Sequence, residues 1–323
     1  METFFFQKII LPSRPQADTI VGIFLLKSFG EEKYPGIKTA QIEIWSILPE
    51  KQTEESLNKK GYFLIDIGAG KFDHHFKKTN VSQLIAEDLE ISDDITLQKL
   101  LLYAERDDKY GLGTISSDSI DKAFGLSGLI MALNRALPEN PQKVIEIVLP
   151  LIKAHYLEEE KRINKLPKEF EEKKEKGEVE IFTVKQGKKQ LKVVILESSN
   201  PSMPGWLKSQ AGLKADVIVQ KAASGHVNIL TRPLKKVDLR WSTAYLRNQE
   251  AVLRNQKIKL YTSDLIKPGR LNEIPQWYYD RATNSILNGG VNPRGISPTI
   301  VPLKKIEEII KKGLSQSLIK NNG

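Results

Sequence analysis

The stretch Leu64-Ile65-Asp66-Ile67-Gly68-Ala69-Gly70, followed closely by Asp73-His74-His75, constrains this chain more than any other. An apolar run carrying one carboxylate and ending in glycine reads as a buried strand. Taking Asp66 out of water is costly unless a positive group meets it. Gly68 and Gly70 permit a sharp turn that returns Asp73, His74 and His75 toward it. Carboxylates and imidazoles gathered in this way favour manganese, iron or zinc over calcium. The competing reading, a solvated turn with idle histidines, leaves Asp66 buried without a partner.

Around this stretch, short apolar strands alternate with helices. Residues 4–11 and 37–45 read as strands, and Ile20, Val21, Ile23, Phe24, Leu25 and Leu26 as a strongly apolar helix. Asp18 falls at the start of that helix. There it either serves the helix terminus or is delivered to a metal at the carboxyl edge of a sheet. Asn80 caps a helix whose apolar stripe is Val81, Leu84, Ile85 and Leu89. A further helix, starting at Ser92, carries Leu97, Leu100, Leu101 and Ala104 on one face and ends with Asp107 and Asp108. The helix dipole opposes acids at that end. Metal ligation accounts for one of the pair, and exposure beside Arg106 and Lys109 accounts for the other.

A chain of 323 residues is long enough for two cores. Residues 1–120 are expected to form a metal-binding α/β domain and residues 121–177 a helical connector. The lysine- and glutamate-rich run at 158–177 serves as its linker. Residues 178–323 are expected to form a C-terminal α/β domain, with strands at 179–184, 191–196, 215–220 and 226–230 paired as hairpins and a helix over 242–256. The absence of cysteine excludes disulfides and thiolate–zinc sites. No apolar run approaches membrane-spanning length, and the first residues lack a signal-peptide pattern, so a cytoplasmic protein without membrane contact is expected. The net charge of +9 is compatible with a polyanionic substrate.

Near the C-terminus, Leu287-Asn288-Gly289-Gly290-Val291-Asn292-Pro293-Arg294-Gly295 joins a glycine-rich loop to an embedded arginine. Exposed backbone N–H groups at Gly289 and Gly290, the Arg294 guanidinium and Thr299 make a candidate phosphate-binding element. An ordinary loop closed by proline is the plainer reading. Trp277, Tyr278 and Tyr279 either stack on a base or belong to a core.

Taken in order, Asp18, Asp66, Asp73-His74-His75 and Asp107/Asp108 resemble the DHH phosphoesterase superfamily. The Phe-Asp-His-His spacing after Asp66 is most similar to the melanocyte-proliferating-gene family of metal-dependent exonucleases. The resemblance covers the N-terminal part well and the C-terminal part loosely. It implies an α/β fold, with a mostly parallel sheet flanked by helices and a smaller C-terminal substrate domain. It also implies hydrolysis of phosphodiester bonds in nucleotides or short single-stranded oligonucleotides. A divalent ion, manganese first, would be held by Asp18, Asp66, His74 and an acid at 107 or 108. His75 would contact the phosphate or the leaving oxygen, with Asp73 and Gln16 completing the catalytic group. The chain departs from the family's first motif: Gln16 stands at its first Asp, and Leu11 or Pro12 stands at its His. One ligand set is therefore complete, and one ion is expected rather than two. The rival readings are a catalytically degenerate nucleotide or nucleic-acid binder and a metal-stabilised structural protein.

Overall fold

In the computed structural model, which describes residues 4–75, 77–111, 113–257, 259–289 and 295–316, the chain forms two units, Met1–Lys161 and Arg162–Gly323. The second is therefore no smaller than the first. Among the described residues no helix is long and apolar enough to cross a membrane.

The first unit runs β1 (Lys8–Leu11), α1 (Ala17–Phe29), β2 (Gln41–Ile44), α2 (Glu54–Asn58), β3 (Tyr62–Leu64), α3 (Val81–Asp88), α4 (Gln98–Tyr110), α5 (Ser119–Phe124), α6 (Leu126–Ala136) and α7 (Pro141–Glu160). Its sheet is parallel in the order β2-β1-β3, with Ile9 opposite both Ile42 and Phe63. Helix α1 is apolar on every side and must be covered all round. It packs against α3, α4 and α7, and is buried from Ala17 to Leu26. Ile130 of α6 and Val144, Val148 and Ile152 of α7 join the same core. Much of the expected connector is thus structural, because its apolar stripe needs burial and α1 offers the complementary surface.

The second unit contains α8 (Leu166–Glu175), β4 (Val179–Gln186), β5 (Lys189–Glu197), α9 (Met203–Lys208), β6 (Val217–Lys221), β7 (Val227–Thr231), α10 (Arg240–Leu253), α11 (Thr262–Leu265), β8 (Tyr278–Asp280), β9 (Ser285–Leu287) and α12 (Leu303–Ser315). Six strands lie in the order β4-β5-β6-β7-β9-β8, parallel only between β5 and β6. The two expected hairpins are present. The β8–β9 pair is an addition, and it places Trp277 and Tyr279 in the core rather than on a base-stacking surface. Helix α10 organises this end through two fully buried charges. The Arg247 guanidinium donates to the carbonyls of Leu265 and Lys267 at 2.8 Å and of Gly269 at 2.6 Å. Glu250 accepts from Arg254 at 2.7 Å, from the Trp277 indole at 3.1 Å and from the Thr299 hydroxyl.

Candidate metal centre

The strand expected to carry Asp66 stops before it. β3 ends at Leu64, and Asp66 takes the left-handed conformation with φ +57°, one that Asp tolerates better than branched residues. The chain then turns through Gly68 at φ +84° and closes with the Asp66 amide donating to the Phe72 carbonyl at 3.0 Å. A side chain at position 70 would meet the Glu54 carboxylate at 2.7 Å and would have to displace it. Glu54 in return accepts the Lys71 amide at 2.9 Å.

The turn delivers His74 into a ring of carboxylates. Its Nδ1 lies 2.8 Å from Asp66 Oδ1 and 3.9 Å from Asp18 Oδ2, and its Nε2 lies 3.3 Å from Asp108 Oδ1. Asp18, only 1% exposed, stands in the first turn of α1 and accepts the Val81 amide of α3 at 3.2 Å. Two helix N-termini therefore favour its charge. Burial, with the neighbouring Asp66 charge, outweighs them and pushes its carboxyl up to about 6. His74 moves the same way, to about 9. The adjacent Asp66 carboxylate is the main cause, assisted by Asp18 and Asp108 against the opposing effect of burial.

Of the two acids at the end of α4, Asp108 reaches His74. Asp107 instead faces the Ser127 hydroxyl and the Ala17 amide, and its burial raises its pKa. Gln16 is the exposed N-cap residue of α1 and makes no capping bond with its side chain. Leu11 is fully buried in the core and Pro12 half-buried, and neither side chain can ligate a metal.

His75 has a different setting. Its ring stacks on that of His74 at 5.2 Å, yet its side chain is 59% exposed against 18% for His74. Its Nδ1 lies 2.6 Å from Asp73 Oδ1, and Asp73 also accepts the amides of Ala69 and His75. Burial alone would raise the Asp73 carboxyl, but those bonds hold it below the usual range. Asp66, Asp73 and His75 are close enough to form a second ligand group. The Asp73–His75 pair is already satisfied within itself, so a metal there would have to break it.

Fit to a metal rests on two atoms. Asp66 Oδ1 and His74 Nδ1 are both buried, and although 2.8 Å apart they lack the direction of a hydrogen bond. Buried polar atoms are normally satisfied. Asp18, His74 and Asp108 lie close enough together to hold an ion, and two carboxylates with one imidazole suit manganese, iron or zinc. In the metal-free protein a protonated His74 supplies the missing positive charge.

A pH prediction follows from this exchange. The His74 pKa of about 9 lies above its ordinary 6.5, so its contribution to stability is full below pH 6.5 and is lost as pH rises through 9. The Asp18 pKa of about 6 lies above 3.8, so the folded state favours its protonated form and that contribution is lost as pH rises through 6. A metal must displace the His74 proton, so manganese affinity should rise by roughly tenfold per pH unit between 7 and 9. Calorimetric titration with manganese at pH 7 and pH 8.5 checks this; equal affinities would remove His74 from the ligands. One tight ion per chain is expected, counted by elemental analysis.

The sequence reading missed the groups that hold the loop. Asp88 of α3 gathers Lys71 at 2.5 Å, Lys33 at 3.0 Å and the Tyr34 hydroxyl. With Glu54, this fixes the strand-to-histidine turn from outside. No local pattern marks these residues, because their partners are distant in sequence.

In the second unit, Gly290 and Arg294 lie outside the described residues, whereas Gly289 has φ +84°. The Thr299 hydroxyl is committed to Glu250 and to the Val301 amide. Asn288, fully buried, ties the loop ends together: its amide donates to the carbonyls of Gln276 at 3.0 Å and Ser297 at 3.1 Å, and its oxygen accepts the Thr299 amide at 2.9 Å. Asn288→Ala should lower unfolding stability by about 1–3 kcal/mol through unsatisfied backbone groups. Denaturant melts measure this, and a loss within error would show that the loop closes without it.

No protein-family model matches this chain, and no curated protein does. Solved structures similar to it include an uncharacterised protein from Helicobacter pylori G27, at 11% identity over 95% of this chain and 98% of that one, with a TM-score of 0.25. Another is the DHH domain of a protein described as belonging to a family of ribosomal proteins, at 11% identity over 96% of this chain and 87% of that one, with a TM-score of 0.27. The functional reading rests on this chain's own side chains.

Proposed function

We propose that this chain is a metal-dependent phosphoesterase of the DHH type, acting on phosphodiester bonds of nucleotides or short oligonucleotides. The observation that supports it most is the gathering of the Asp18, Asp66 and Asp108 carboxylates around His74 beyond the end of a parallel strand. Asp18, Asp66, His74 and Asp108 would hold the ion, with manganese the first choice. When bound, the ion polarises a phosphoryl oxygen and lowers the pKa of water. Asp73 holds Nδ1 of His75, which leaves Nε2 of this exposed ring to meet a phosphate oxygen or to give a proton to the leaving oxygen.

A second reading, binding without hydrolysis, is favoured by Leu11 and Pro12, which stand where the DHH pattern has its first His and offer no ligand atom. Incubation of a dinucleotide with the purified protein, with manganese and with chelator, separates the two. Manganese-dependent cleavage supports the enzyme, and retention of an intact dinucleotide supports the binder. Neither cleavage nor binding would overturn both.

A further inference from the structure

The two faces of the six-stranded sheet are covered unequally. Val219, Ile229 and Ile286 point to the face under α10 and α12. On the other face, α8 and α9 cover Val194 and Ile218 through Phe170, Met203 and Trp206. Beyond them, over β7 and β9, a cleft of about 1320 Å³ opens, formed entirely by residues of the second unit. The volume exceeds the roughly 300–1,000 Å³ typical of small-ligand sites. Its floor combines apolar Leu230 and Leu287 with polar Gln220, Asn228 and Ser285.

The charges around this cleft do not balance. Its acids are already engaged: Asp238 takes the Arg240 guanidinium at 2.8 and 3.0 Å, and Asp280 caps the amides of Ala282 and Thr283 at 2.8 and 3.2 Å. The side-chain cations of Lys208, Lys236 and Arg281 also line it, and among the described residues none of them pairs with a carboxylate. Lys208 is the most telling of the three. It is half-buried at the end of α9, and burial pulls its pKa down with no opposing acid. A cation that loses hydration without gaining a partner is held at a cost, which an incoming anion would offset.

We propose that this cleft binds a nucleoside polyphosphate, its phosphates on Lys208, Lys236 and Arg281 and its base over the Leu230–Leu287 floor. Four cations against two carboxylates, Asp238 and Asp280, leave two positive charges over, which matches a charge of two or more on the ligand. The apolar patch of Leu230 and Leu287 matches the face of a flat base. The site goes beyond the proposed phosphoesterase and uses none of the residues around His74.

The test uses the full chain, stripped of metal with chelator so that hydrolysis cannot intervene. Calorimetric titrations with ADP, pyrophosphate and adenosine compare the whole ligand with its parts. ADP should bind more tightly than pyrophosphate, and adenosine should bind weakest. Lys208→Ala and Arg281→Ala should each weaken ADP by about tenfold, the scale of a charge-assisted contact. Lys208→Arg should stay within about threefold of the parent, which separates lost charge from lost folding. Absence of ADP binding to the parent chain, or binding indifferent to both alanine variants, would overturn the site. Adenosine as tight as ADP would overturn the role of the cations, and pyrophosphate as tight as ADP the role of the floor. Loss of ADP binding in Asp66→Asn would move the nucleotide to the metal centre and also overturn the proposal. Because no metal is present, failure here leaves the phosphoesterase reading intact, and failure of that reading leaves this one intact.

Discussion

Asp66→Asn is expected to abolish tight manganese binding and, with it, phosphodiester hydrolysis. The substitution keeps the size of the side chain but removes the charge that lies 2.8 Å from His74 and 3.6 Å from His75. Changing groups that only orient a metal ligand typically costs about 10- to 100-fold in affinity. Losing a ligand in the middle of the cluster should cost more than about 100-fold. The same change removes the main support of the raised His74 pKa, which should fall back toward its ordinary value. Manganese titration by calorimetry gives the first quantity, and the pH dependence of the His74 ring signals by NMR gives the second. Manganese affinity within threefold of the parent would exclude Asp66 as a ligand. A fallen His74 pKa with a cooperative thermal transition retained would show that the lost affinity is not misfolding.

The second large effect divides the two histidines. His74 is enclosed by Asp18, Asp66 and Asp108, whereas His75 is exposed and turned by Asp73. His74→Ala should therefore release the metal. His75→Ala should keep manganese affinity within a few-fold while lowering turnover by about 10²- to 10⁴-fold, the usual scale of a lost proton donor. Metal content after gel filtration, measured beside hydrolysis of a dinucleotide, reads both effects on one sample. Equal release of metal from the two variants would show that Asp66, Asp73 and His75 form a working ligand group. Full turnover in His75→Ala would leave that ring without a role in the reaction. Asp73→Asn should follow His75→Ala, more mildly, because it frees the ring without removing it.

How much of this was legible in the chain varies with how local the cause is. The Asn80 cap is written in adjacent residues, and its oxygen accepts the Gln83 amide at 2.9 Å. The burial of α1 follows from its apolar composition, and the hairpins of the second unit follow from alternation around turn glycines. The presence of Asp66, Asp73, His74 and His75 in one short turn follows from the two glycines between them. Their sequence proximity makes their meeting cheap in chain entropy.

Other features depend on partners brought together from afar. Whether Asp107 or Asp108 serves the site is a matter of helix phase: one step along α4 turns a carboxylate from His74 to the Ser127 hydroxyl. The left-handed backbone at Asp66 is fixed by closure onto Phe72, and the anchoring of its loop by Glu54 and Asp88. The β8–β9 hairpin is too short for periodicity to reveal, and is held by pairing with β7 and by the buried Trp277–Glu250 contact. The sequence by itself determined which groups could bind a cation, because their chemistry and spacing are local properties. Only the tertiary structure decided which of them face one another, because a buried charge is settled by every element packed around it.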